Sequence, residues 1–132
     1  EMAVRDALVQ LLQALRPLAL DVEEKGTIEL VLAEVLNNIV EHAYQDKSDG
    51  GPIQITCRAQ SDGLMVRITD QGKIMPEGKL PTGTLAAIEV DLDDMPEGGF
   101  GWFIISRLTQ NLTYRRRNGR NCLVFTIPFQ GI

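Results

Sequence analysis

The sequence predicts an α+β fold: a two-layer sandwich, with helices packed on one face of a mixed, largely antiparallel sheet. Three observations predict it. The first third carries apolar residues at helical spacing, the middle and the end carry paired segments that alternate with period two, and no regular β-α repeat connects them. At 132 residues, 44% hydrophobic and 23% charged, residues 1–132 suit a single domain. A chain of that size buries about two-thirds of its unfolded surface.

Val4, Leu8, Leu11, Leu12 and Leu15 mark a first helix, and Pro17 marks its end. A second helix is predicted over residues 27–44, from Thr27 to Tyr44. Its Ile28, Val31, Leu32, Val35, Leu36, Ile39, Val40 and Ala43 fill one broad apolar arc. Glu34 and Asn38 fall just outside the edge of that arc, with Glu41 further round toward water. Asp49-Gly50-Gly51-Pro52 closes the helical region.

Residues 53–57 and 64–70 alternate with period two around Ser61-Asp62-Gly63, which reads as a hairpin. Residues 73–98 show neither period and contain Pro76, Pro81 and Pro96 with Gly78, Gly83 and Gly98. They read as a long loop with a short helix near residues 85–88. A loop of that length inside a compact domain is functional or disordered. A third helix over residues 101–110 turns Trp102, Ile105 and Leu108 inward. Strands over residues 112–116 and 122–127 then meet around Asn118-Gly119, a favoured tight-turn pair.

The formal net charge of −5 argues against nucleic acid or an anionic membrane as the main partner. Arg115-Arg116-Arg117 with Arg120 forms the one basic cluster, read as a solvated strand end or as a docking patch for an acidic partner. No apolar run is long enough for a membrane span, and no signal peptide is visible. The opening Glu1-Met2-Ala3 suggests a segment of something longer. Cys57 and Cys122 read as free buried thiols in a reducing cytoplasm, and with a single histidine they do not make a zinc site.

Three local patterns carry chemistry. Glu34 and Asn38 stand one helical turn apart, so a carboxylate lies above a carboxamide. Asparagine is a mediocre helix former, and its carbonyl suits Mg²⁺, which keeps several waters and borrows phosphate oxygens. The plain alternative is a solvated polar edge. Asp70 ends an inward-facing run of Leu64, Val66 and Ile68, so it must be hydrogen-bonded or stand at a pocket mouth. It can accept a hydrogen bond from a ligand amine, with Gly72 permitting close approach, or it can simply cap the turn at Gln71-Gly72. Gly98-Gly99-Phe100-Gly101 opens a helix whose first amides can meet phosphate. Neither a Walker pattern nor a dinucleotide fingerprint is present. His42 reads as a packed structural histidine, and Trp102 and Phe103 as core.

The patterns Glu-x-x-x-Asn on a helix, Asp-x-Gly after a strand and Gly-x-Gly after a long loop occur here in one order and spacing. That ordered set resembles the Bergerat-fold (GHKL) ATPases, the superfamily of gyrase, heat-shock chaperones, histidine kinases and mismatch-repair proteins. The resemblance covers residues 34–128. Asn-Asn-Ile-Val-Glu-His-Ala-Tyr over residues 37–44, with the small size, looks most like the bacterial anti-sigma-factor serine kinases.

The resemblance implies that Glu34 is the general base and Asn38 a Mg²⁺ ligand. It implies that Asp70 accepts from the adenine amine, that Gly72 lines the base pocket and that Gly99 and Gly101 contact phosphate. Residues 73–98 would be the ATP lid. ATP and Mg²⁺ are then the cofactors, and a serine on a small anti-anti-sigma (STAS-type) protein the substrate. A sigma factor would be a second partner, a homodimer is allowed, and the location is the cytoplasm. The alternatives are a non-enzymatic ATP-responsive switch, or the catalytic domain of a sensor histidine kinase. Against the second, no helical segment presents a phosphoacceptor histidine, because His42 lies inside the nucleotide motif. Two features depart from the pattern. Relatives carry a Gly-Thr pair before the last strand, where this chain has Gly119-Arg120-Asn121-Cys122, leaving Asn121 and Thr126 as candidate substitutes. The usual short first strand is not evident.

Overall fold

A computed structural model describes residues 2–44, 51–75 and 99–129. Helix α1 (Met2–Ala14) stops before Pro17: Leu15 N still donates to Leu11 O at 3.1 Å, and a 3-10 turn over Arg16–Leu18 follows. Helix α2 runs Val22–Asn38, starting earlier than the predicted Thr27. The cause is a capping box. Asp21 Oδ1 accepts from Glu24 N at 2.7 Å while Glu24 Oε1 accepts from Asp21 N at 3.0 Å, satisfying two donors at the helix start.

The predicted second helix also changes character before its end. Residues Ile39–Ala43 form a π turn, closed by Tyr44 N donating to Ile39 O at 3.0 Å. Such wide turns interrupt α-helices at functional sites. His42, within this turn, is exposed, which corrects its expected packing.

Strands β1 (Ile53–Gln60) and β2 (Gly63–Asp70) form the expected hairpin. Helix α3 runs Gly99–Leu108, and β3 (Gln110–Arg117) and β4 (Arg120–Pro128) form a second hairpin. Its turn uses Asn118 at φ 53° and Gly119 at φ 76°, the left-handed pair that a two-residue type I′ turn requires. The sheet order is β1-β2-β4-β3, and all three pairings are antiparallel. The parallel component of a mixed sheet does not occur among the described strands.

Ile28, Val31, Leu32 and Val35 of α2 share one core with Val66 and Ile68 of β2, Phe125 and Ile127 of β4, and Ile105 of α3. Each such fully buried side chain contributes roughly 1.5–3 kcal/mol, and together they hold α2 against the sheet. The opposite sheet face carries exposed Thr56, Arg58, Arg67, Thr113 and Arg115, so the helices cover one side only. Among the described residues no helix is long and apolar enough to cross a membrane. The expected turn residues Asp49 and Gly50, the short helix near residues 85–88 and the loop from residue 76 to 98 lie outside the described residues.

Candidate functional site

Helix α2 packs on α3, and this contact brings the first set of predicted residues together. Glu34 and Asn38 face the start of α3, where Gly101 is buried. A methyl group added at Gly101 would stand 2.8 Å from Glu34 Oε2 and 3.6 Å from Asn38 Nδ2. The missing side chain therefore lets the first turn of α3 approach the Glu34 carboxylate and the Asn38 carboxamide closely. Gly99 is the first residue of α3, so both glycines sit where helix amides lack intrahelical partners.

Asn38 Nδ2 is buried and has no hydrogen-bond partner among the described residues. An unpaired buried amide costs about 1–3 kcal/mol, so Asn38 stands out among the described residues as a buried polar group short of a partner. No cluster of three or more His, Cys, Asp or Glu side chains able to hold a metal occurs among the described residues. A single carboxamide oxygen is the kind of protein ligand that Mg²⁺ accepts when phosphates and waters supply the other oxygens.

The second set assembles where β2 ends. Asp70 is 5% exposed, and its Oδ1 accepts from Gly72 N at 2.8 Å and from Asn121 Nδ2 at 2.8 Å. Asp70 and Asn121 are direct partners across the β2–β4 ladder, whereas Thr126 pairs with Met65 further along it. The residue beside Asp70 is thus Asn121. Its Nδ2 also donates to Lys73 O at 2.8 Å, and its Oδ1 accepts from Tyr114 Oη at 2.5 Å and Arg116 Nη1 at 3.0 Å.

One element joins the two sets. The π turn that follows Asn38 brings Ala43 against Gly72, where an added Cβ would lie 2.4 Å from Ala43 O. Lys73 N donates to that same carbonyl at 2.7 Å. Gly72 is therefore demanded by backbone packing, a reason separate from any ligand. Tyr44, next in the chain, is buried; its hydroxyl donates to Pro52 O at 2.6 Å and accepts from Gln71 N at 2.7 Å. Burial pushes its phenol pKa up, and the nearby Asp70 charge adds to the rise, while the Gln71 hydrogen bond opposes it. A small cavity of about 170 Å³ lies beside Asp70, lined by Gln54, Thr69 and Arg120 among others. Those three belong to the helix-free side, away from the contact of α2 with α3.

Three positions escaped the sequence reading: Tyr44, Tyr114 and Arg116. Arg116 is exposed, as a solvated strand end implies, yet its guanidinium also donates to Gly72 O at 2.6 Å. Alternation along β3 carried the signal, since Arg116 shares a face with Leu112 and Tyr114. Cys57 and Cys122 are free as expected but half-buried rather than buried, and burial raises the Cys57 thiol pKa to about 11.

Comparison with known proteins gives this geometry a family context. The model of the histidine kinase-like ATPase domain matches residues 1–127. The chain is 33% identical over 102 residues to the serine/threonine-protein kinase BtrW of Bordetella bronchiseptica, covering 76% of this chain and 68% of that one. It is 28% identical over 101 residues to the serine-protein kinase RsbW of Halalkalibacterium halodurans, covering 75% of this chain but only 58% of that protein. Among solved structures, the EL346 blue-light activated histidine kinase of Erythrobacter litoralis superposes with a TM-score of 0.55 at 25% identity. That match covers 83% of this chain and 31% of the kinase.

Proposed function

The chain belongs to the histidine kinase-like ATPase domain family, and on that premise we propose that it is an ATP- and Mg²⁺-dependent protein serine kinase acting on a STAS-type anti-anti-sigma partner. The observation that carries the proposal is the joint placement of Glu34 and Asn38 against Gly101, with the turn that follows Asn38 contacting Gly72 and Lys73 beside Asp70. Support for serine as acceptor comes from the resemblance to the two serine kinases.

In this reading Asp70 accepts from the adenine amine and fixes the base. The amides at Gly99 and Gly101 meet phosphate oxygens. Asn38 holds Mg²⁺, which when bound offsets phosphate charge. Glu34 lies across from Gly101 and takes the proton of the attacking serine. Most of the catalysis is then positioning and electrostatics.

The test is incubation of the chain with γ-labelled ATP, Mg²⁺ and a purified STAS-domain partner. Acid-stable label on a serine of the partner is expected. Acid-labile label would point to phosphohistidine, and binding without transfer to a non-enzymatic switch. Glu34→Gln should bind nucleotide yet transfer phosphate roughly 10²–10⁴-fold more slowly, the usual effect of removing a general base. Unchanged transfer in Glu34→Gln would show that another group is the base.

A further inference from the structure

We propose that the open face of the sheet, which no helix covers, is a docking surface for an acidic protein partner. It lies on the side of the sheet away from Glu34 and Asn38, and the inference does not depend on what binds there.

Alternation along the strands puts Arg58 of β1, Arg67 of β2, Arg115 and Arg117 of β3 and Arg120 of β4 on this face, and all five are exposed. The four strands hold a single acid, Asp70, which shares the opposite face with Leu64, Val66 and Ile68. The other described acids stand on the helical segments or, as Asp62 does, in the β1–β2 turn. A surface that serves solvation alone intersperses both signs. This face carries one.

The register brings the charges together. Arg117 and Arg120 are direct cross-strand partners, and like charges directly opposite destabilise a sheet. Arg58 pairs with Met65, which sets it diagonal to Arg67, within reach for long side chains. No side chain of the five is held by an ion pair or hydrogen bond among the described residues. Opposing carboxylates turn this repulsion into attraction, most strongly at low salt.

The rest of the face selects a protein over a nucleic acid. Half-buried Met65 and Val124 stand between the arginines as a small apolar centre. Methionine and arginine are both enriched at protein interfaces. Base stacking needs aromatic rings, and those of the strands, Tyr114 and Phe125, stand on the helix side. A second copy set face to face would oppose arginine to arginine. Four strands of eight or nine residues span roughly 500 Å², less than the ~800 Å² per partner of a standard complex, so the contact is a reversible one.

The test is fluorescence anisotropy of a labelled helical peptide whose glutamates flank a leucine stripe, titrated with the whole chain at low salt. Wild type is compared with a variant carrying Arg58→Gln, Arg67→Gln and Arg115→Gln. A control carrying Arg5→Gln, Arg16→Gln and Lys25→Gln removes the same charge from the helical side. Thermal melts establish that each is folded. The sheet-face variant should bind about tenfold more weakly, the scale of three exposed charge contacts, and the control within about twofold of wild type. Should the triple variant fail to fold, Arg67→Gln alone should cost about twofold to threefold.

No binding by wild type, or equal losses in variant and control, overturns the proposal. So does tighter binding of a single-stranded oligonucleotide of matched charge through the same arginines, which would make the face a nucleic-acid site. Self-association of wild type in sedimentation, abolished by the sheet-face substitutions, would make the occupant a second copy and overturn it as well.

Discussion

Asn121 and Asn38 are the same side chain in opposite circumstances, one on β4 and the other at the end of α2. Asn121 is 5% exposed and every polar position it has is occupied by protein. Asn38 has a buried amide nitrogen with no partner among the described residues. The first arrangement is a finished one: its hydrogen bonds tie β2, β3 and β4 together whether or not a ligand is present. The second is incomplete by itself. Its Nδ2 finds no acceptor among the described residues. In the proposed reading the sheet end would recognise the base, and the helix pair with its unpaired Asn38 amide would handle phosphate and metal.

The largest effect that separates the two ends is on stability. Asn121→Ala removes four hydrogen bonds and leaves Asp70 short of a buried partner, so it should lower unfolding free energy by about 2–4 kcal/mol. Asn38→Leu, with no hydrogen bond at Nδ2 to lose, should stay within about 1 kcal/mol of wild type. Urea denaturation of the nucleotide-free chain measures both. Equal losses would erase the distinction.

A smaller effect sharpens the description of the Asp70 end alone. The folded-state pKa of Tyr44 lies above its ordinary value. The folded state thus holds the phenolic proton longer than the unfolded chain does. This contribution to stability is fully present below about pH 10, the unfolded tyrosine value, and is lost as pH rises through the folded value. Ultraviolet titration should show one tyrosine ionising late. Asp70→Asn should bring that transition part of the way down, because the Asp70 charge is one of its causes. A Tyr44 transition indifferent to Asp70 would place the phenol further from the carboxylate than the account requires.

What could be read from the sequence divides along the same line. The apolar arc of α2 is periodic, and its Ile28, Val31, Leu32, Val35 and Leu36 are all buried. Glu34 and Asn38 were legible as that arc's polar edge, and Asp70 as the odd polar member of an inward-facing strand. The early start of α2 was also written in Asp21-x-x-Glu24, but outside the apolar run that drew attention. The π turn was not legible, since the same residues suit a bond to the fourth or the fifth carbonyl back. Gly72 was read as a place for a ligand, and the structure supplies a backbone reason in Ala43 O. Arg116 looked like its neighbours because composition does not say which strand residues face Asn121. That follows only from the β3–β4 register, which pairs the two directly.

The central claim is that the Asn38 end is completed by a metal-bound nucleotide and the Asp70 end is complete without one. Calorimetric titration with ATP, in excess Mg²⁺ and again in chelator, tests it on wild type and Asn38→Ala. The account predicts saturable ATP binding by wild type, tighter with Mg²⁺, and an Asn38→Ala variant whose residual binding no longer responds to Mg²⁺. Folded wild type that shows no saturation at millimolar ATP, or an Asn38→Ala variant with the full Mg²⁺ response, would contradict it.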